Sequence, residues 1–500
     1  KPSLTLELDA HTADAGINTR IDAFLDIVHN YRTIGPRPLG LPAAQIPAMV
    51  RFENHGVYYM DSAGRRRKLT DPAVKLIIPA AGYFGNRMLA AVFRSMGINA
   101  HALPMADTEV MRLGRSATTG KECLPLIVCL GSLLKYLAYR PPEQSDEKLM
   151  LFIPKSAGHC RLGQYHIFMS QYIKENGLKD VALLDLSMDN NFAGVGPVTL
   201  FRAWRGIVIA DVVEDIECSL RALAVDPQQA VKVLREEANK ICAILEGKLK
   251  KGLYRLLTGT ARRLKAIPLR QPLDKTARVA VTGEFFVRRD HFSNLNIAHR
   301  LAEKGFAVSI ASLAEVMYYV NFKMKKGIVN PEHTLFDRLA LFISGITQRH
   351  TERKIKQILS SSGLYNMELL DVEDMIRYSE HLIPHELDGE PCLISGLTMR
   401  DSLTRYSGIV NVGPFGCMQC RFGDAVTIPQ ADVAGKKRVF QGLGEELRLD
   451  GFADCERIPY LSIESDGNPY PQLLEARFES FCLAAARAAR KTGRQAVSRA

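Results

Sequence analysis

No apolar run in this chain reaches the ~18 residues that a membrane-spanning helix requires, and no membrane partner is expected. The opening stretch KPSLTLELDAHTADAG lacks the basic, apolar and small-residue regions of a secretory signal. A Walker A loop, an HExxH helix and a GxSxG elbow are missing. The glycines of FAGVGPV (192–198) do not form the dinucleotide fingerprint. Cysteine is scarce, at 10 in 500 residues, which is too few for a disulfide-stapled scaffold. Reduced thiols in a cytoplasmic protein are the expectation. Cys218, Cys242 and Cys482 sit among helical apolar positions and read as core atoms.

Negative charge is also in deficit. Lys plus Arg number 65 against 54 for Asp plus Glu, a net charge of +11 that favours anionic partners in general. The basic stretches GRRRKL (64–69), ARRLK (261–265) and KMKKG (323–327) carry no interleaved aromatics and no nucleic-acid motif. Solvated faces are the first reading, a nucleotide-bearing or acidic ligand the second, and no nucleic acid is expected.

What is present is an α/β alternation. VKLIIPA (74–80), KLMLFIP (148–154) and VALLDL (181–186) read as buried strands of one unit. ARVAVTGEFF (277–286), FAVSIAS, EPCLISG and GIVNVG read as strands of a second. Apolar runs separated by helices point to parallel sheets covered on both faces, with ligands outside the carboxyl ends of the strands. Between the units, Asp226 and Pro227 supply an N-cap and a first-turn proline. Val233, Leu234, Ile241, Leu245, Leu249 and Leu256 then form an approximate apolar stripe.

The expected division is 1–70 as the tail of a preceding module and a connecting segment, 71–225 as a first α/β domain, and 226–270 as a helical connection. A second α/β domain follows over 271–426, a polar loop or insertion over 427–458, and a C-terminal strand and helix over 459–500. One internal repeat relates residues 4–24 to 461–481. Leu4, Glu7, Asp9, Arg20 and Phe24 match Leu461, Glu464, Asp466, Arg477 and Phe481, and each copy reads as strand, turn and amphipathic helix. A chain that starts at Lys1 rather than Met, inside such a repeat, is expected to be part of something longer.

Three cysteine neighbourhoods stand apart from the core thiols. GKECLPL holds Cys123, FIPKSAGHCRLGQYHIF holds Cys160, and NVGPFGCMQC holds Cys417 and Cys420. Each sulfur follows an extended run and lies beside Gly or Pro. Thiolates are soft ligands that select zinc, copper(I) or iron–sulfur. The paired spacing of a zinc finger and the clustered spacing of a ferredoxin are both absent. An iron–sulfur cluster ranks first, a redox-active CMQC pair second, and buried thiols with an accidental CxxC remain the bland reading. His159 and His166 lie near Cys160 as hydrogen-bond donors or structural histidines. GEFFVRRDHFSN (283–294) reads as an anion or partner site, or as a polar loop with internal ion pairs.

Together, TADAGINTRIDAFLDIV, KECLP, GHCRLGQY, TGEFFVRRD, SSGLY, NVGPFGCM and IESDGNPYPQLLEARFESFCL carry a resemblance. The sequence resembles the C-terminal part of CoA-substrate-specific activase-related proteins, relatives of 2-hydroxyacyl-CoA dehydratase subunits and double-cubane-cluster proteins. The resemblance implies oxygen-sensitive, cytoplasmic proteins of anaerobic metabolism. Two flavodoxin-like, doubly wound parallel-sheet domains, with a helical connection and terminal strand–helix extensions, would hold a 4Fe–4S or double-cubane cluster between them. It implies an ATP-hydrolysing activator of the actin/hexokinase-like fold, separate or fused upstream, with ATP bound there rather than on this chain. Homodimer and heterodimer both stay open.

Carried over by motif, Cys123, Cys160 and Cys417 fall on the family's cysteine positions. Three features depart from it: His159 replaces the usual Pro, Leu162 the usual Phe, and Met418–Gln419–Cys420 the usual Met-Pro-Ser. Cys420 is then expected as a conditional second ligand of this segment: either an extra ligand, or the cap of an iron otherwise left open. The expected function is electron-driven reduction or radical dehydration, as an ATP-dependent iron–sulfur reductase or dehydratase-like component. The alternative is a non-catalytic electron-transfer or scaffold subunit with a fully ligated cluster.

Overall fold

The computed structural model describes residues 4, 14–34, 46–53, 56–155, 160–185, 197–248, 252–328, 335–387, 389–447, 457–491 and 493–497. His159, Leu249, the first strand of the internal repeat and most of FAGVGPV lie outside them.

Two four-stranded parallel sheets form the frame. The first contains β4 (Val74–Ile78), β5 (Asn99–Ala102), β6 (Lys148–Phe152) and β7 (Val181–Leu184), in the order β5-β4-β6-β7. The second contains β8 (Arg278–Gly283), β9 (Ala307–Ile310), β10 (Gly408–Pro414) and β11 (Tyr460–Ser465), in the order β9-β8-β10-β11. Every neighbour in both sheets is parallel. Counted within each sheet, the order is 2-1-3-4, the flavodoxin-like winding. Its topological switch point lies between the first and third strands, where ligands sit in this class of fold. All seven residues of β10 are buried, as a central strand covered on both faces requires.

A third, antiparallel sheet of β1 (Met49–Glu53), β2 (Gly56–Met60) and β3 (Arg66–Lys68) lies in the segment read as connecting chain. It docks on the first sheet through Asp180, whose carbonyl accepts from the Tyr59 hydroxyl at 2.7 Å.

The two α/β units share their cores. Leu124, Ile127 and Val128 of the first pack in one cluster with Val279, Val281, Val410, Val412 and Ile463 of the second. The helix Pro197–Leu223 joins the units with charge as well as apolar contact. Its Glu214 and Asp211 bind the Arg289 guanidinium at 2.6 and 2.9 Å, and its Asp215 accepts the Ile310 N–H at 2.9 Å. Asp226 caps the next helix, Pro227–Leu245, by accepting the Gln229 N–H at 3.0 Å, as its sequence indicates. Leu234, Ile241 and Leu245 are the buried part of that helix's stripe.

Three sequence readings change. EPCLISG is not a strand but the start of the helix Pro391–Asp401. Pro391 is pre-organised for a first helical turn, and the apolar run is buried on all sides, so it shows neither a period of two nor one of 3.6. Within 427–458 a helix forms over Val433–Gly442, capped by the Asp432 carboxylate. The C-terminal strand is not an appendage: β11 pairs with β10 from Ile409↔Tyr460 to Pro414↔Ser465 and completes the second sheet.

The second halves of the repeat are both helical, over Asp14–Ile34 and Gln472–Arg490. Arg20 lines a cavity beside Arg161, whereas Arg477 lines a separate groove with Arg457 and Tyr460.

Candidate metal centre at three helix N-termini

Each of the singled-out cysteines sits where a helix begins. Cys123 is the N-cap of Leu124–Tyr139, and its carbonyl accepts from Leu126 N at 2.9 Å. Cys160 follows β6 and stands one residue before the N-cap of Leu162–Glu175. Its Sγ accepts the Leu162 N–H at 3.4 Å. Cys417 follows β10 and is the N-cap of Met418–Thr427. Helix N-termini present unpaired N–H groups and the positive end of the helix dipole, so they favour thiolate over thiol.

One side chain ties the loops together. Arg161, next to Cys160, donates to the Lys121 carbonyl at 2.9 Å and to the Gly416 carbonyl at 2.7 Å. Lys121 lies two residues before Cys123, and Gly416 immediately before Cys417. Gly416 takes φ +61°, the left-handed turn that reverses the chain from β10 into the helix. Gly413 is needed for a different reason: a Cβ there would lie 2.5 Å from the Cys420 sulfur.

The surroundings are acidic and nearly closed. Glu284 directly follows β8, and its carboxylate accepts the N–H groups of Phe286 and Val287 at 3.1 and 2.8 Å. Glu390 precedes the helix Pro391–Asp401, and its Oε2 has no hydrogen-bond partner among the described residues although the residue is only 8 % exposed. The Tyr165 hydroxyl donates to the Cys123 sulfur.

Burial pushes the Cys123 thiol up, and the Cys160 thiol up to about 11. Burial likewise raises Glu284, and raises Glu390 well above the usual carboxyl range with Glu284 adding to it. Cys417 is the exception. The Cys420 thiol donates to its sulfur, backbone N–H groups of Cys420 and Gln419 add to this, and its pKa falls while that of Cys420 rises.

The donor set fits an iron–sulfur cluster. Soft sulfurs come from three segments, helix N-termini offset their negative charge, and a buried carboxylate oxygen stands unpartnered beside them. A single tetrahedral zinc would gather its thiolates to roughly 3.8 Å of one another, given Zn–S bonds of about 2.3 Å. No set of three of these cysteines lies within 4.8 Å. Among the described residues only Glu380, His385 and Glu386 are grouped that closely. They are a surface ion-pair cluster, with His385 Nδ1 2.8 Å from Glu380.

Several neighbouring sequence candidates resolve differently. Arg288 and Arg289 of GEFFVRRDHFSN are 1 % exposed and consumed by Glu315, Glu214 and Asp211, so the stretch is the internal ion-pair loop rather than an anion site. His166 faces Asp185, with burial lowering its pKa. Cys218 and Cys482 are core atoms as expected, and Cys242 is half-buried. The sequence reading missed Arg161, Tyr165 and Glu390. Arg161 and Tyr165 carried the signal of lying beside Cys160 on one helical turn; Glu390 carried none. No protein-family model matches the chain, and no curated protein matches it.

Proposed function

We propose that this chain is an iron–sulfur protein in which Cys123, Cys160 and Cys417 hold a cluster between two flavodoxin-like units. It receives low-potential electrons from an ATP-hydrolysing activator for a difficult reduction or radical dehydration. The observation that carries this reading is Arg161: it binds the loops of Cys123 and Cys417 from the position next to Cys160. Cys160 and Cys417 follow the third strand of their respective sheets, and Glu284 follows the first strand of the second sheet, so the group straddles the switch points.

Bound there, a cluster supplies one-electron chemistry and, at an iron without a protein thiolate, Lewis-acid polarisation. The chain's own residues do the rest. Tyr165 and the helix N–H groups donate to the sulfurs and stabilise their negative charge. The low exposure of Cys123, Cys417 and Cys420 limits their contact with bulk water. Burial raises the pKa of the Glu390 carboxyl, and its Oε2 is without a hydrogen-bond partner among the described residues.

A specific observation favours a second reading, electron transfer without a substrate. The cavity adjoining the cysteine loops, lined by Thr19, Arg20, Lys121, Arg161, Gly416 and Asp466, has a volume of about 220 Å³. Ligand pockets usually span roughly 300–1,000 Å³, so this one admits a small reactant and not a CoA ester. Iron and acid-labile sulfide counts on anaerobically prepared protein test the cluster. If the protein binds neither, both readings fall. A substrate-dependent change in the cluster's EPR signal then separates catalysis from electron transfer.

A further inference from the structure

We propose that Cys417 and Cys420 form a dithiol–disulfide centre that hydrogen peroxide closes and a thiol reductant reopens. The proposal concerns the chain's own thiols and does not require bound iron.

Four features carry it. Cys417 caps the helix Met418–Thr427, and Cys420 lies three residues on, one turn inside. With a rise of about 1.5 Å per residue and a Cα radius of about 2.3 Å, Cα atoms three apart on a helix are about 5 Å apart, within the roughly 4.4–6.8 Å that a disulfide accepts. The two sulfur-bearing side chains form one small buried cluster with Ile394. Their exposure is asymmetric, 7 % for Cys417 and 0 % for Cys420, so only Cys417 meets an oxidant and Cys420 resolves it. The bare backbone of Gly413 gives the Cys420 sulfur its place.

In the first step the Cys417 sulfur attacks one oxygen of peroxide. The O–O bond breaks, hydroxide leaves and is protonated to water, and Cys417 becomes a sulfenic acid. In the second step the Cys420 sulfur attacks the Cys417 sulfur. The S–O bond breaks, and the second water leaves with the Cys420 proton. The two thiols lose two electrons and two protons, and peroxide is reduced to two waters.

The full chain, stripped of iron with a chelator and reduced under anaerobic conditions, is given one equivalent of hydrogen peroxide and quenched in acid. Free thiols are alkylated and the peptides weighed. The Cys417–Cys420 peptide should lose two hydrogens about tenfold faster than Cys129, Cys218 or Cys242 is modified. Cys420→Ser should stop at a sulfenic acid on Cys417 that dimedone labels, and Cys417→Ser should leave Cys420 reduced. Circular dichroism of each variant confirms folding, and the unmodified chain gives the primary readout in any case. Full alkylation of both thiols after peroxide overturns the proposal, as does pairing of Cys417 with Cys123 or Cys160. Iron is not read here, so this outcome and that of the iron count are independent.

Discussion

The Arg161 guanidinium donates to the Gly416 carbonyl at 2.7 Å, joining a loop of the first sheet to a loop of the second. Because Arg161 is exposed, each such bond is worth on the order of 1 kcal/mol to the fold. Its weight lies in positioning. Arg161→Met should lower the melting temperature only slightly yet at least halve the iron retained after gel filtration. Arg161→Lys, with a point charge in place of a planar fork, should satisfy one carbonyl and fall between the two. Unchanged iron content in Arg161→Met would remove this side chain from the account of the site.

Serine replacements separate ligands from neighbours. Cys123→Ser, Cys160→Ser and Cys417→Ser should each lose most bound iron, since a harder oxygen replaces sulfur. Cys420→Ser should retain it, with a shifted EPR spectrum, because Cys420 is a fully buried neighbour of Cys417 inside the helix rather than at its cap. Loss of iron from Cys420→Ser equal to that from Cys417→Ser would instead make Cys420 a ligand.

The junction between the units rests on Arg289. Its guanidinium serves Asp211 and Glu214 and donates to the Ala311 carbonyl at 3.0 Å, all with 1 % exposure. Arg289→Met leaves two buried carboxylates without their partner and should cost about 3–5 kcal/mol in urea unfolding. A loss below about 1 kcal/mol would mean that the carboxylates find other partners or protons.

Asp215 gives the stability a pH dependence. Burial raises its pKa from 3.8 to about 7, against the opposing pull of the Ile310 N–H and Arg289. The folded state therefore binds more protons than the unfolded state between these two values, and stability falls as pH rises from about 4 to 7. Asp215→Asn should flatten that part of the profile, an effect on the order of a few kcal/mol at about 1.4 kcal/mol per pKa unit. Denaturant midpoints at pH 4.5 and 7.5, compared between the two proteins, measure it; equal slopes would show that Asp215 ionises normally.

The sequence by itself determined the local elements and the chemistry they carry. The short apolar runs of β4, β6, β8 and β10, bounded by turn residues, read as buried strands and are strands. Asp226 followed by Pro227 marked a helix start because a carboxylate cap and a fixed φ act within one turn. Soft sulfurs beside glycine and proline after extended runs marked three segments, each of which leads into a helix. Tertiary structure decided what local pattern does not encode. EPCLISG became a helix because it is buried all round, which erases the period that distinguishes helix from strand. Arg289 became an internal ion pair because the acidic face of Pro197–Leu223, more than 70 residues away in sequence, packs against it, and Arg288 because Glu315 of a later helix does. Glu390 faces Cys417 only because the turn before one helix abuts the start of another. Periodicity reports which face of an element is apolar. Which two elements then meet is set by the packing of all of them at once, and that packing lets Arg161 bridge the Lys121 and Gly416 carbonyls.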